Sequence, residues 1–281
     1  MHTRIRWSRN DDSPAAAIVV AKSGDRKLGS TPGCAAVHLS QWSCPVTCSL
    51  LPTIEKMRTE FGSVYKKVKA VCYANSNKTR QRFTTHRLNS SKERNPVSIA
   101  REAARKILQL AHSKSMKRKL RLSVVGDART RQAARIYSKA ASEYQRLTNK
   151  NAYSYTHSLQ THRSDWHDVS VLASISCVNP DGTTRTQTEI QNDINSFRRR
   201  GYQKFSVVIP HTHNTTHTYD DVLTGLKLIA CRYQFQPRTN TSKPLKRVTC
   251  DHCDLCLETC LERAQIDGVA FQLDDAGKVP V

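Results

Sequence analysis

RLSVVGD, residues Arg121 to Asp127, is a short run of apolar and β-branched residues that stops at Gly-Asp. Directly after it, Arg129 to Leu147 carries Ala133, Ile136, Ala140, Tyr144 and Leu147 at helical spacing. Branched side chains suit a pleated strand, and a period near 3.6 marks an amphipathic helix, so the two segments predict a strand and the helix that follows it.

The same unit recurs on both sides. Upstream, Asn95-Pro96 predicts a helix start, because asparagine caps and proline is tolerated at the first helical position. Ile99, Ala103, Ile107, Leu110 and Ala111 then share a face as far as about His112. Downstream, Ala152 to His157, Val169 to Ile175, Lys204 to Pro210 and Leu226 to Tyr233 predict strands, the last of these the final strand, and Thr188 to Arg200 predicts a helix. Apolar strands alternating with helices are what a parallel sheet requires, since its crossovers cover its faces. The expected fold class is α/β, a partial or complete parallel βα barrel with cysteine-rich, loop-like N- and C-terminal regions.

Four regions are expected along the chain. Residues 1–30 read as a flexible tail with one strand at Ala17 to Val20, and 31–94 as an irregular cysteine-rich segment leading into the first strand. Residues 95–240 form the βα-repeat core, and 241–281 hold a C-terminal cysteine cluster.

The chain has 281 residues, 45 lysines and arginines against 23 acidic residues, and a formal charge of +22. That field favours a polyanionic partner, and nucleic acid is the natural one. The apolar run Ala15 to Ala21 is far too short to cross a bilayer and short for a signal peptide, which points away from a membrane and to the cytoplasm. In a reducing compartment the ten cysteines are poor disulfide material, so clustered ones suggest metal or redox chemistry.

CDHCDLCLETC places Cys250, Cys253, Cys256 and Cys260 in the spacing C-x2-C-x2-C-x3-C. That is the bacterial ferredoxin spacing without its usual following proline, and thiolates so arranged suit an iron–sulfur cluster of the 4Fe-4S form, or zinc. Cys260 is the exception if LETCLERA is already helical, for it would then only pack. A second, looser set is Cys34, Cys44, Cys48 and Cys72, while Cys177 and Cys231 fall in or beside strands and are expected to fill core.

Asp127, His157, Ser174, Ser176 and His211 stand at or just past the C-terminal ends of expected strands, where the loops of α/β folds build sites. Of these, Asp127, His157, Ser174 and His211 are the candidate cofactor-binding residues. HTHNTTH, with His211, His213 and His217, reads as an exposed turn before a metal site. The basic runs Lys114 to Arg121 and Arg198 to Arg200 could meet phosphates or simply complement helix ends, and Tyr137, Tyr144, Tyr153 and Tyr155 read as core and strand residues. No nucleophile elbow, catalytic triad or phosphate-binding glycine loop is present.

Together CPVTC, VCYA, LSVVGDART, YSYTH, VLASIS and CDHCDLC give the chain, from Lys27 to its end, a resemblance to uncharacterised phage-encoded proteins that are similar to radical S-adenosylmethionine enzymes. The resemblance implies a partial βα barrel, a catalytic cluster on Cys44, Cys48 and Cys72 that binds S-adenosylmethionine through its free iron, and an auxiliary cluster on Cys250, Cys253 and Cys256. The chain departs from that group in having SLLPTIEKMRTEFGSVYKKVKAV between Cys48 and Cys72 instead of a compact loop. Two functions are therefore expected: an iron–sulfur enzyme acting on nucleic acid or a related substrate, or a non-catalytic zinc-stabilised nucleic-acid-binding protein of a phage or plasmid.

Overall fold

The computed structural model describes residues 16–20, 34–40, 43–44, 88, 91, 93–179, 183–210, 218–231 and 253–272. Helix α1 (Pro96–His112) starts where Asn95 accepts the Val97 N–H on its side chain, with proline in the first turn. Helix α2 (Arg131–Thr148) is capped by Thr130, whose hydroxyl accepts the Ala133 N–H, and it ends on Asn149 in the left-handed region. Helix α3 (Gln187–Arg198) opens with a reciprocal Thr186–Glu189 capping box, and a short α4 spans Glu258–Arg263. Each cap satisfies amide groups that the first helical turn leaves without an internal partner.

Among the described residues nine strands form one sheet: β1 (Ala17–Val20), β2 (Ala35–Leu39), β3 (Leu120–Val125), β4 (Ala152–Thr156), β5 (Ser170–Ser176), β6 (Phe205–Ile209), β7 (Thr218–Asp221), β8 (Leu226–Ala230) and β9 (Gly268–Gln272). Their spatial order is β1-β2-β3-β4-β5-β6-β9-β8-β7. All pairings are parallel except β1 with β2 and β7 with β8. Among the described residues no pairing joins β1 to β7. The mixed α/β class expected from the sequence is present as a mostly parallel sheet, and no pairing among those residues closes it into a complete barrel.

From β2 to β6 each strand lies one place further along in the same direction. Right-handed crossovers that always step the same way put their connections on one side, so α1, α2 and α3 share a face. Ile99, Ile107, Tyr137, Tyr144, Ile190 and Ile194 join that core with Leu120, Leu122, Val171, Phe205 and Val207 from the sheet. The step from β8 back to β9 runs the other way, which carries the segment before β9 to the opposite face.

That opposite face is aromatic and polar. Arg121 pairs with Tyr153 across β3 and β4, so their side chains share it with Tyr155. The Arg121 guanidinium lies 5.1 Å from the Tyr155 ring centroid. Strands β4 and β9 are three places apart, about 14 Å by ordinary strand spacing, yet the Tyr155 and Phe271 rings meet edge-on at 5.7 Å.

Three strands were not legible in sequence. β2 falls inside the stretch expected to be irregular, β7 has no apolar run in its TYDD, and β9 falls inside the C-terminal segment expected to be loop-like. Leu226–Ala230 is consequently not the last strand; the apolar stretch Gly268–Gln272 inserts between it and β6. Ser123 departs from regular strand geometry with φ at 50°, and its N–H turns to the Tyr137 hydroxyl at 2.9 Å. The β3–β4 pairing is confined to Leu120 and Arg121, before that bend.

Candidate functional site

At the C-terminal edge of the parallel strands, Asp127 follows β3 and is almost fully buried. Its carboxylate accepts the Ala128 N–H at 2.6 Å, the His157 N–H at 2.7 Å and the Thr156 hydroxyl at 3.1 Å. Burial pushes the carboxyl up to about 6, although these donors pull the other way by favouring the ionised form. His157 is half-buried beside it. Enclosure of its ring pushes the imidazole down to about 4, with the Asp193 charge opposing the shift.

The segment after β2 reaches the same place. Ser43 is buried, donates its hydroxyl to the Ser40 carbonyl at 2.6 Å and accepts the Asp127 N–H at 3.2 Å. Cys44 is the next residue and is half-buried. Gly126 makes this approach possible: its φ is +79°, and a Cβ there would fall 2.5 Å from Ser43 Oγ and 2.6 Å from Leu39 Cβ. Asp127 and His157 thus stand just past the ends of their strands, where they were expected, and the chain bearing Cys44 reaches the same edge.

Ser174 is not on that edge. It lies inside β5, and its hydroxyl is 2.8 Å from that of Ser206 on β6, so it belongs to the sheet face and not to a rim. Ser176 ends β5 and turns inward, donating to the Val178 carbonyl at 2.7 Å. His211, His213, His217, Cys48, Cys72 and Cys250 lie outside the described residues. Cys177 and Cys231 are buried core residues, and burial pushes the Cys177 thiol up to about 12.

The described part of the C-terminal cysteine run sits at the other end of the strands. Lys119, just before β3, pairs with Asp254 at 2.7 Å. Arg163 grips the Glu258 carboxylate through Nε at 2.8 Å and Nη2 at 2.6 Å. The Glu258 N–H in turn donates to the Ser170 hydroxyl at 2.6 Å, at the start of β5. Between these clamps Tyr155 donates its hydroxyl to Cys256 Sγ at 2.8 Å, so the run touches the aromatic face. Cys253, Cys256 and Cys260 are half-buried.

Cys260 lies on α4, as its helical spacing allowed, and its N–H bonds to the Leu257 carbonyl. Among the described residues no three His, Cys, Asp or Glu side chains form a group that could hold a metal ion. Of the two sets, Cys44, Cys253, Cys256 and Cys260 are among the described residues, and Cys48, Cys72 and Cys250 lie outside them.

The residues that sequence reasoning missed are Ser43, Tyr155 and Glu258. Ser43 had no periodic signal, and Glu258 reads as an ordinary first-turn acid. The basic run Lys114 to Arg121 proves largely structural: Lys117 caps α1 through the Leu110 carbonyl at 2.8 Å, Lys119 holds Asp254, and Arg121 is buried against Tyr155. Among the described residues no helix is long and apolar enough to cross a membrane. Set against known proteins, the chain matches no family model, no curated protein and no solved structure.

Proposed function

We propose that the protein is a cytoplasmic iron–sulfur enzyme resembling the radical S-adenosylmethionine group, built on a partial βα barrel and acting on nucleic acid or a related substrate. Cys44, Cys48 and Cys72 would hold the catalytic cluster and Cys250, Cys253 and Cys256 an auxiliary centre. The observation that carries the reading is that Cys44 follows Ser43, which is bonded to Asp127 beyond β3, so one thiol of the first set stands at the strand-end edge where α/β sites form. Supporting it are the consecutive order of β2 to β6, the helices on one face, and the Tyr155–Phe271 contact across the other.

Held by Cys44, Cys48 and Cys72, such a cluster would supply an electron for reductive cleavage of S-adenosylmethionine. The chain's own residues supply the surroundings. Asp127 is a carboxyl poised near neutrality, and His157 is an uncharged imidazole that can accept a proton or a hydrogen bond from a polar cofactor group.

Anaerobic purification tests this directly. Brown protein with bound iron and broad visible absorbance is expected, and Cys48→Ser is expected to remove one centre while the C-terminal one persists. Colourless protein with stoichiometric zinc would instead establish the zinc-stabilised nucleic-acid-binding reading, which the strongly basic balance of the chain favours.

A further inference from the structure

Half of the formal charge of the chain is concentrated in one fifth of its length. Residues 93–150 hold 15 lysines and arginines against four acidic residues. Those four offset little of it: Asp127 is buried, Glu102 pairs with Lys106 at 2.6 Å, Glu143 pairs with Arg146 at 2.5 Å, and Glu93 accepts the Asn95 N–H at 2.7 Å ahead of α1.

On α1 and α2 the fold turns part of this excess outward. α1 and α2 each lead back to the start of a parallel strand, so they run side by side in the same direction and bury their apolar stripes against the sheet. α1 and α2 also pack directly against one another. Arg101, Arg105, Arg131, Arg135 and Lys139 are all exposed. Spacing of four residues sets successive cations about 6 Å apart along each helix. Arg131 and Arg135 share the single buried carboxylate of Asp165, at 3.0 and 2.7 Å, which orients both guanidinium groups while cancelling only one charge. Arg101, Arg105 and Lys139 make no ion pair among the described residues.

We propose that the outer surface of α1 and α2 is a docking surface for the phosphate backbone of nucleic acid. The surface lies on the opposite side of the sheet from the Tyr155 face, so it holds a polymer that extends beyond the strand-end site. An array of five cations whose one shared counter-charge is Asp165 matches a polymer that carries one negative charge per about 1.7 Å of duplex axis. Sequence is not read here, because phosphate contacts position a nucleic acid without distinguishing bases. The inference deepens the nucleic-acid part of the proposed function and does not depend on any metal centre.

The test is fluorescence anisotropy of a short labelled DNA duplex titrated with the full-length protein across a salt series. Arg101→Glu/Arg105→Glu/Lys139→Glu is compared with a charge-matched control, Arg199→Glu/Lys227→Glu/Arg263→Glu, whose three residues are also exposed but lie elsewhere. All three proteins are checked for folding by circular dichroism. The wild type and the control are expected to bind, and the surface variant to bind at least about tenfold more weakly, its log–log salt slope shallower by about three. Three results would overturn the proposal: no binding by the wild type, equal weakening in both variants, or preferential capture of vesicles of anionic phospholipid over the duplex. Iron content measured on the same preparations separates the two ideas, because a colourless protein that still shows this contrast refutes only the enzyme.

Discussion

The carboxylate of Asp127 accepts the backbone N–H of His157 at 2.7 Å, which ties the end of β3 to the end of β4. The two side chains titrate in opposite senses over the same interval. Asp127 has a folded pKa raised to about 6, so it contributes stability below its unfolded pKa and loses it as pH rises to about 6. His157 has a folded pKa lowered to about 4, so the unfolded chain takes up the proton first on acidification, and stability rises with pH over nearly the same range.

Each effect is about 3 kcal/mol in size, and they oppose one another. Asp127→Asn is therefore expected to make stability rise more steeply between about pH 4 and 6 than in the wild type. His157→Gln is expected to make it rise less or fall. Urea unfolding midpoints measured across that range check the pair, and identical pH profiles for all three proteins would remove the assignment.

Gly126 leaves room for the Ser43–Cys44 segment, and its positive φ disfavours any side chain. Gly126→Ala is expected to destabilise the protein by about 2 kcal/mol or more, from strain and the displaced contact. It should also raise the alkylation rate of Cys44 in native protein, read by peptide mass spectrometry. An unchanged rate would show that the glycine does not hold that thiol at the edge.

Glu258 joins the C-terminal cysteine segment to Arg163, to the Val171 N–H and, through its own N–H, to Ser170. Glu258→Gln keeps the shape and removes the charge from a part-buried bidentate pair, which is expected to cost about 2 kcal/mol. Limited proteolysis should then cut the segment before β9 earlier than in the wild type. Equal cleavage kinetics would show that the clamp is not what secures it.

Tyr155 donates to Cys256 Sγ at 2.8 Å. If Cys256 ligates an iron–sulfur centre, that bond stabilises the reduced, more negative cluster, so Tyr155→Phe is expected to lower its reduction potential. Spectroelectrochemical titration of the anaerobic protein reads the shift. A potential unmoved by the loss of the hydroxyl would separate Cys256 from the redox centre.

Local chemistry determined a good deal of this protein from sequence alone. Asn95-Pro96, the spacing from Ala133 to Tyr144 and the branched runs at β3 to β6 fix helices and strands because their signals are carried by neighbours in the chain. Asp127 and His157 were legible as edge residues for the same reason, since each follows its own strand. Tertiary structure decided what depends on residues far apart in sequence. β9 inserts between β6 and β8 through pairings that no local period encodes, and Ser174 turns to Ser206 on the next strand instead of to a rim. Cys253, Cys256 and Cys260 stand at the opposite end of the strands from Cys44 because Arg163–Glu258 and Lys119–Asp254 hold them there, ion pairs that bring together residues 95 and 135 positions apart.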